Sequence, residues 1–234
     1  MNAAGTFSAR DEMRRVRAVA WKDLTAERRS KANFNAVVFL AVLMLVLFGF
    51  ALGPDAEALR GAASGVLWLT ILFSGVLAFN RSYQLELEGE ALETLLLYPG
   101  ERWPIFLGKL VANLAFVLMV EVVVVPMAAV LYDVAIWRVL PPLLAVLALG
   151  TVGFVTLGTF YAAMASRVRA REVLLPLLLF PMLVPLLVAS VGATTALLAG
   201  NAMHDAGSWI RVLVAFDAIF FVAAMLAFEY VIEV

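Results

Sequence analysis

Polar and apolar positions in this chain fall into long blocks. Six apolar runs, at about 33–52, 61–79, 105–131, 140–165, 173–199 and 209–231, are separated by short polar stretches. A helix needs about 20 mainly apolar residues to cross a hydrocarbon core, and every run meets or approaches that length. In lipid each backbone N–H and C=O must find its partner within the segment, so the runs are predicted to be helices. No period-2 alternation points to a β-barrel. Within the fifth run Pro176, Pro181 and Pro185 each remove a helix hydrogen bond, which predicts kinks, and Pro126 bends the third. The weakly apolar stretch 192–207 is bounded by glycine and reads as a short helical cap or a re-entrant piece. Gly150, Gly153, Gly158 and Ala162 give the fourth run a small-residue spacing that lets helices approach closely. We read it as internal packing. Trp68, Trp137 and Trp209 are expected to anchor spans at the interfaces.

Composition supports a bilayer as solvent. Of 234 residues, 64% are hydrophobic and only 15% charged, against about 25% charged in soluble domains. There is no cysteine, which excludes disulfides, thiolate catalysis, iron–sulfur ligation and cysteine-type zinc sites. The first apolar run is long and follows a charged segment, so it reads as a retained helix rather than a cleaved leader.

Of 17 lysines and arginines, only Arg60, Arg138 and Arg211 fall on one side of this topology. The positive-inside rule therefore puts both termini in the cytoplasm of a multi-pass inner-membrane protein, with the loops near Asp55, Asp133 and His204 outside. Residues 1–32 form a cytoplasmic N-terminal segment, and 33–234 form the six-helix transmembrane domain. Within the first segment, 11–31 is amphipathic: Val16, Val19, Ala20 and Leu24 recur at helical spacing beside Trp21, opposite basic residues. This predicts a helix lying in the membrane interface.

The segment 80–104 between the second and third runs contains LELEGEALETLLLYPGERWP, with five glutamates. Glu86, Glu90 and Glu93 share one helix face, and Leu85, Leu92, Leu95 and Leu96 form an apolar stripe. Tyr98-Pro99-Gly100 ends the pattern with turn residues. An acidic helix is repelled by an anionic lipid surface. Its faces suit either a groove on a partner protein or simple solvation.

These residues carry a resemblance. Glu88-Gly89, Ala91 to Leu97 and Pro99, then Leu107-Gly108-Lys109 and Asn113, resemble the conserved segment of the cytochrome c maturation permease B family (CcmB, heme exporter protein B). The first span and its exit (FNAVVFLAVLMLVLFGFALGPD), the proline-rich fifth span and VEVVVVP are similar in the same order. LELEGE departs from the many relatives that have arginine or aspartate beside the first acid. The resemblance covers nearly the whole chain. It implies an all-α, ABC-2-like permease with six transmembrane helices, an N-terminal amphipathic elbow helix and a cytoplasmic coupling helix between spans 2 and 3. It further implies that Glu86, Glu88, Gly89, Glu90, Leu92, Glu93, Leu95, Leu96 and Pro99 engage a partner ATPase. The implied assembly pairs two copies of this chain with two ATPase subunits, adds heme-handling C and small D subunits, and acts on heme chaperone E. Heme would be cargo, and ATP would sit on the partner.

The residues themselves offer little catalysis. No G-x-x-x-x-G-K-[ST] run is present, so ATP hydrolysis falls to another subunit. With a single histidine and no catalytic constellation, an enzyme is not expected, and neither is a nucleic-acid partner. Glu121 and Asp217 lie within spans, where ionisable groups usually face a bundle interior. Glu121 is expected to bond backbone freed by Pro126. Met203, His204, Arg138 and Arg211 on the outer side are candidates for heme or headgroup contact. Two other readings remain open: a permease of similar shape for another cargo, and an ATP-driven scaffold that moves nothing across the bilayer.

Overall fold

The computed structural model describes residues 9–29, 31–88, 101–165, 171–200 and 204–233. The chain runs α1 (Ala9–Arg29), α2 (Lys31–Leu52), α3 (Ala56–Glu88), α4 (Trp103–Leu131), a 3₁₀ turn (Ile136–Val139), α5 (Leu140–Ala165), α6 (Arg171–Leu198) and α7 (His204–Glu233). Helices α2 to α7 are each long and apolar enough to cross a membrane, and no strand occurs among the described residues. This is an all-α membrane protein with six candidate spans.

Local chemistry sets the helix ends. Asp55 accepts the Glu57 N–H at 2.9 Å and caps α3. Pro104 sits in the first turn of α4, where a missing N–H costs nothing. Gly53 and Gly200 have φ of 75° and 79° and follow the ends of α2 and α6, in the left-handed conformation that glycine reaches without strain.

The helices form two layers. On one side α2, α3 and α4 pack together; on the other, α5, α6 and α7. Contacts of α3 with α5 and α6, and of α4 with α5, join them. The apolar parts of α3 and α5 are mostly buried, while those of α2 and α7 face largely outward. Lipid is as apolar as leucine, so close packing and hydrogen bonds hold such helices together. Small residues make the close approaches. A Cβ on Gly150 would strike the Trp68 ring, on Gly75 the Phe154 ring, and on Gly158 the Phe79 ring. Phe79 and Phe154 themselves lie 5.0 Å apart. The small-residue spacing of the fourth run is thus internal packing, as its pattern suggested.

The second apolar span ends at Phe79, as its pattern predicts, and the helix that carries it, α3, continues to Glu88; the rest of the acidic stretch, 89–100, lies outside the described residues. Several expectations need correction. Stretch 192–207 is neither cap nor re-entrant piece among its described residues: α6 runs on to Leu198, and α7 begins at His204. The three prolines leave α6 continuous, with Pro181 and Pro185 on its exposed side. Trp68 is not an interface anchor. It is 2% exposed, inside the bundle, with its indole N–H donated to Thr194 Oγ1 at 3.0 Å. Trp137 is exposed, and Trp209 packs over Gly192.

Candidate functional site

Polar groups gather at three levels of the bundle. At the end that carries α1, the apolar stripe of that helix lies against protein. Val16, Val19 and Ala20 are buried on α4. A Cβ on Gly108 would come within 2.6 Å of Val19 Cβ, so glycine permits the approach. The same face carries Asp23, whose Oδ2 is 3.2 Å from the fully buried Lys109 ammonium. Trp21, in contrast, is exposed. The predicted amphipathic segment is helical, over Ala9–Arg29, and its apolar stripe covers α4. A cavity of about 380 Å³ opens beside this junction, lined by Arg14, Arg15, Ala18, Arg102 and Ile105 among others.

At mid-depth Glu121, 5% exposed on α4, accepts a hydrogen bond from the Thr151 hydroxyl of α5. Its partner is thus a neighbouring span, not backbone freed by Pro126. One level closer to α1, Asn113 donates to Thr159 Oγ1 at 3.0 Å across the same helix pair. Asp217 on α7 faces Gly153 of α5, and neither of its carboxylate oxygens has a partner among the described residues. Thr151 and Gly153 are two residues apart, about 200° around a helix. Glu121 and Asp217 therefore flank opposite faces of α5 and do not form one site.

At the far end Arg60 of α3 donates to the Asp133 carboxylate and, at 3.0 Å, to its backbone oxygen. Asp133 adopts φ 51° after α4, a left-handed conformation that aspartate tolerates. Ser64 and Thr195 hydroxyls lie 2.5 Å apart below them. These four residues and Glu57 line an open cavity of about 1000 Å³. Tyr132 closes α4 and donates its hydroxyl to Leu45 O at 2.9 Å. Burial raises the Tyr132 pKa above its ordinary value, which keeps it a neutral donor.

The other candidates separate. Arg138 in the 3₁₀ turn and Arg211 on α7 are exposed, and Arg211 donates to Ser208 Oγ at 3.1 Å. Neither lines the far cavity. His204 begins α7 rather than sitting in a loop. Met203, Gly89, Glu90, Leu92, Glu93, Leu95, Leu96 and Pro99 lie outside the described residues; Glu86 and Glu88 end α3. Among the described residues no His, Asp or Glu cluster could hold a metal. Sequence reading missed the Asp23–Lys109 and Arg60–Asp133 pairs. The signal for the first was a lysine well inside an apolar run, about 9 Å along α4 from Trp103, where a charge needs a partner.

Heme exporter protein B of Pseudomonas aeruginosa is 29% identical over 188 residues, covering 80% of this chain and 83% of the relative. The protein of that name from Rhodobacter capsulatus is 30% identical over 177 residues, covering 74% and 79%. That of Escherichia coli K12 is 28% identical over 91 residues, 39% and 41% of the two chains. The CcmB protein family matches residues 14–234, from the first turns of α1 to the last residue, and the chain belongs to that family.

Proposed function

We propose that this protein is the membrane subunit of an ABC-type complex for cytochrome c maturation. It couples ATP hydrolysis on a partner ATPase to heme export or to release of a heme-loaded chaperone at the outer face. The family match across residues 14–234, with relatives named Heme exporter protein B, carries this reading. The absence of a phosphate-binding loop assigns the ATPase to another chain. The segment 80–104 is the docking element, with Glu86, Glu90 and Glu93 at the spacing of one helix face and Leu92, Leu95 and Leu96 as anchors. The termini and this segment face the cytoplasm, in keeping with the lysine and arginine distribution. The complex holds two copies of this chain, two ATPase subunits, the C and D subunits and, transiently, chaperone E.

Of the two outputs, packing favours release. The cavity lined by Ser64, Leu67 and Leu143 holds only about 20 Å³, against about 300–1,000 Å³ for a ligand pocket, and the roomy cavity of about 1000 Å³ is the open one at the Arg60–Asp133 end. Aromatic rings fill the hollows over Gly75, Gly150 and Gly158. This chain's own bundle then acts as a moving scaffold rather than a heme conduit. The test is ATPase pull-down with Leu92→Arg and Leu96→Arg, scored together with ATP-dependent release of holo-chaperone. Loss of both from protein still in the membrane is expected; retained binding and release would reject the docking role.

A further inference from the structure

The cavity between α1 and the start of α4 has two chemically distinct parts. Ala18, Val19, Pro104 and Ile105 make an apolar floor, and Arg14, Arg15 and Arg102 line it with positive charge. Among the described lining residues Glu101 is the one acid, and its Oε2 accepts the Trp103 indole N–H at 2.5 Å. Arg14 reaches Asp11 only at 3.9 Å, with 83% of its side chain exposed, and an exposed pair of that kind is weak. Arg15 lies 3.4 Å from Glu12 on the same helix. The cavity sits where α4 enters its apolar span at Trp103, the depth of lipid headgroups. We propose that it binds the headgroup of an anionic phospholipid, with phosphate oxygens on the arginines and the glycerol and upper acyl carbons on the floor.

Charge and shape each select this occupant. Guanidinium groups pair with phosphate through several N–H donors, and basic pockets between helices at a membrane surface attract anionic headgroups. A zwitterionic headgroup brings a second cation into a cationic cavity. A free phosphate ion leaves the apolar floor wet. Only a molecule that is anionic at one end and apolar at the other satisfies both parts. The bound lipid would bridge α1 and α4, adding to the contact that Asp23 and Lys109 already make.

The experiment is native mass spectrometry of the purified full chain from mixed micelles of phosphatidylglycerol and phosphatidylcholine. Wild type is expected to retain phosphatidylglycerol about tenfold more than phosphatidylcholine, a difference of about 1.4 kcal/mol. R14Q/R15Q/R102Q should lose the preference, and R14Q alone should lower it without abolishing it. Ala18→Trp fills the floor without changing charge and should lose it too, while Arg211→Gln at the far end should keep it. Equal retention of the two lipids, displacement by inorganic phosphate, or unchanged binding in Ala18→Trp would each overturn the proposal. So would arginine variants that keep the lipid yet fail to capture the ATPase, which would assign the arginines to a protein partner. Circular dichroism of each variant checks that its helices persist.

Discussion

The Lys109 ammonium lies 3.2 Å from the Asp23 carboxylate, with no exposed surface on the lysine side chain and 14% on the aspartate. The pair links α1 to α4 about two turns inside an apolar helix. Breaking one side of such a pair leaves a buried charge, which costs about 3–5 kcal/mol. Asp23→Ala is therefore expected to destabilise the protein by about that amount. Asp23→Leu with Lys109→Met should recover most of the loss, because apolar residues of similar volume often replace buried ion pairs without penalty. Denaturant unfolding in micelles measures both, and a double variant as weak as the single one would argue against the pairing.

Glycine positions separate packed from open sites. At Gly158 an added methyl meets the Phe79 ring, whereas nothing lies within 4 Å of Gly61. Gly158→Ala should cost about 1–3 kcal/mol by overpacking, and Gly61→Ala should gain about 0.5–1 kcal/mol from helix propensity. Thermal midpoints of the two variants must move in opposite directions.

Within the span, Thr151→Val leaves the buried Glu121 carboxyl without its hydroxyl donor. A loss of about 1–3 kcal/mol is expected. Glu121→Gln keeps an oxygen that accepts from Thr151 and should lose less. The reverse ranking in the same unfolding assay would show that Glu121 draws its support elsewhere.

The tryptophans divide by burial. Trp68→Ala empties the space over Gly150 and removes the donor to Thr194 Oγ1, which keeps its own bond to Ser190 O, at a cost of about 3–5 kcal/mol. Trp137, 75% exposed, should lose less than about 0.5 kcal/mol on truncation. Similar losses at both positions would return Trp68 to the interface.

Number and length of spans were legible in the sequence because a 20-residue apolar run has few alternatives in lipid. Gly150, Gly153 and Gly158 likewise declared their packing role through spacing alone. Partner choice was not legible. Trp68 and Trp137 look alike in sequence, and only the approach of Thr194 makes one of them interior. Asp23 and Lys109 are far apart along the chain, so no local pattern joins them. Arg60 and Asp133 meet because α3 and α4 run side by side, a fact that periodicity does not contain. The end of the second span at Phe79 was legible too, but not that its helix runs on to Glu88, because hydropathy reports the solvent around a helix, not its hydrogen bonds.

That last helix has a mechanical consequence. At 33 residues, α3 is about 50 Å long, and the hydrocarbon of a bilayer is about 30 Å thick. Its apolar part ends at Phe79, so stretch 80–88 projects about 13 Å further as the same rod. No proline interrupts it, and its last glycine is Gly75. The rod begins at Ala56, passes Arg60 and Ser64, and carries Trp68 in the bundle's centre. One continuous helix therefore joins the end of the described stretch at Glu88 to the Arg60–Asp133 pair, past the buried Trp68.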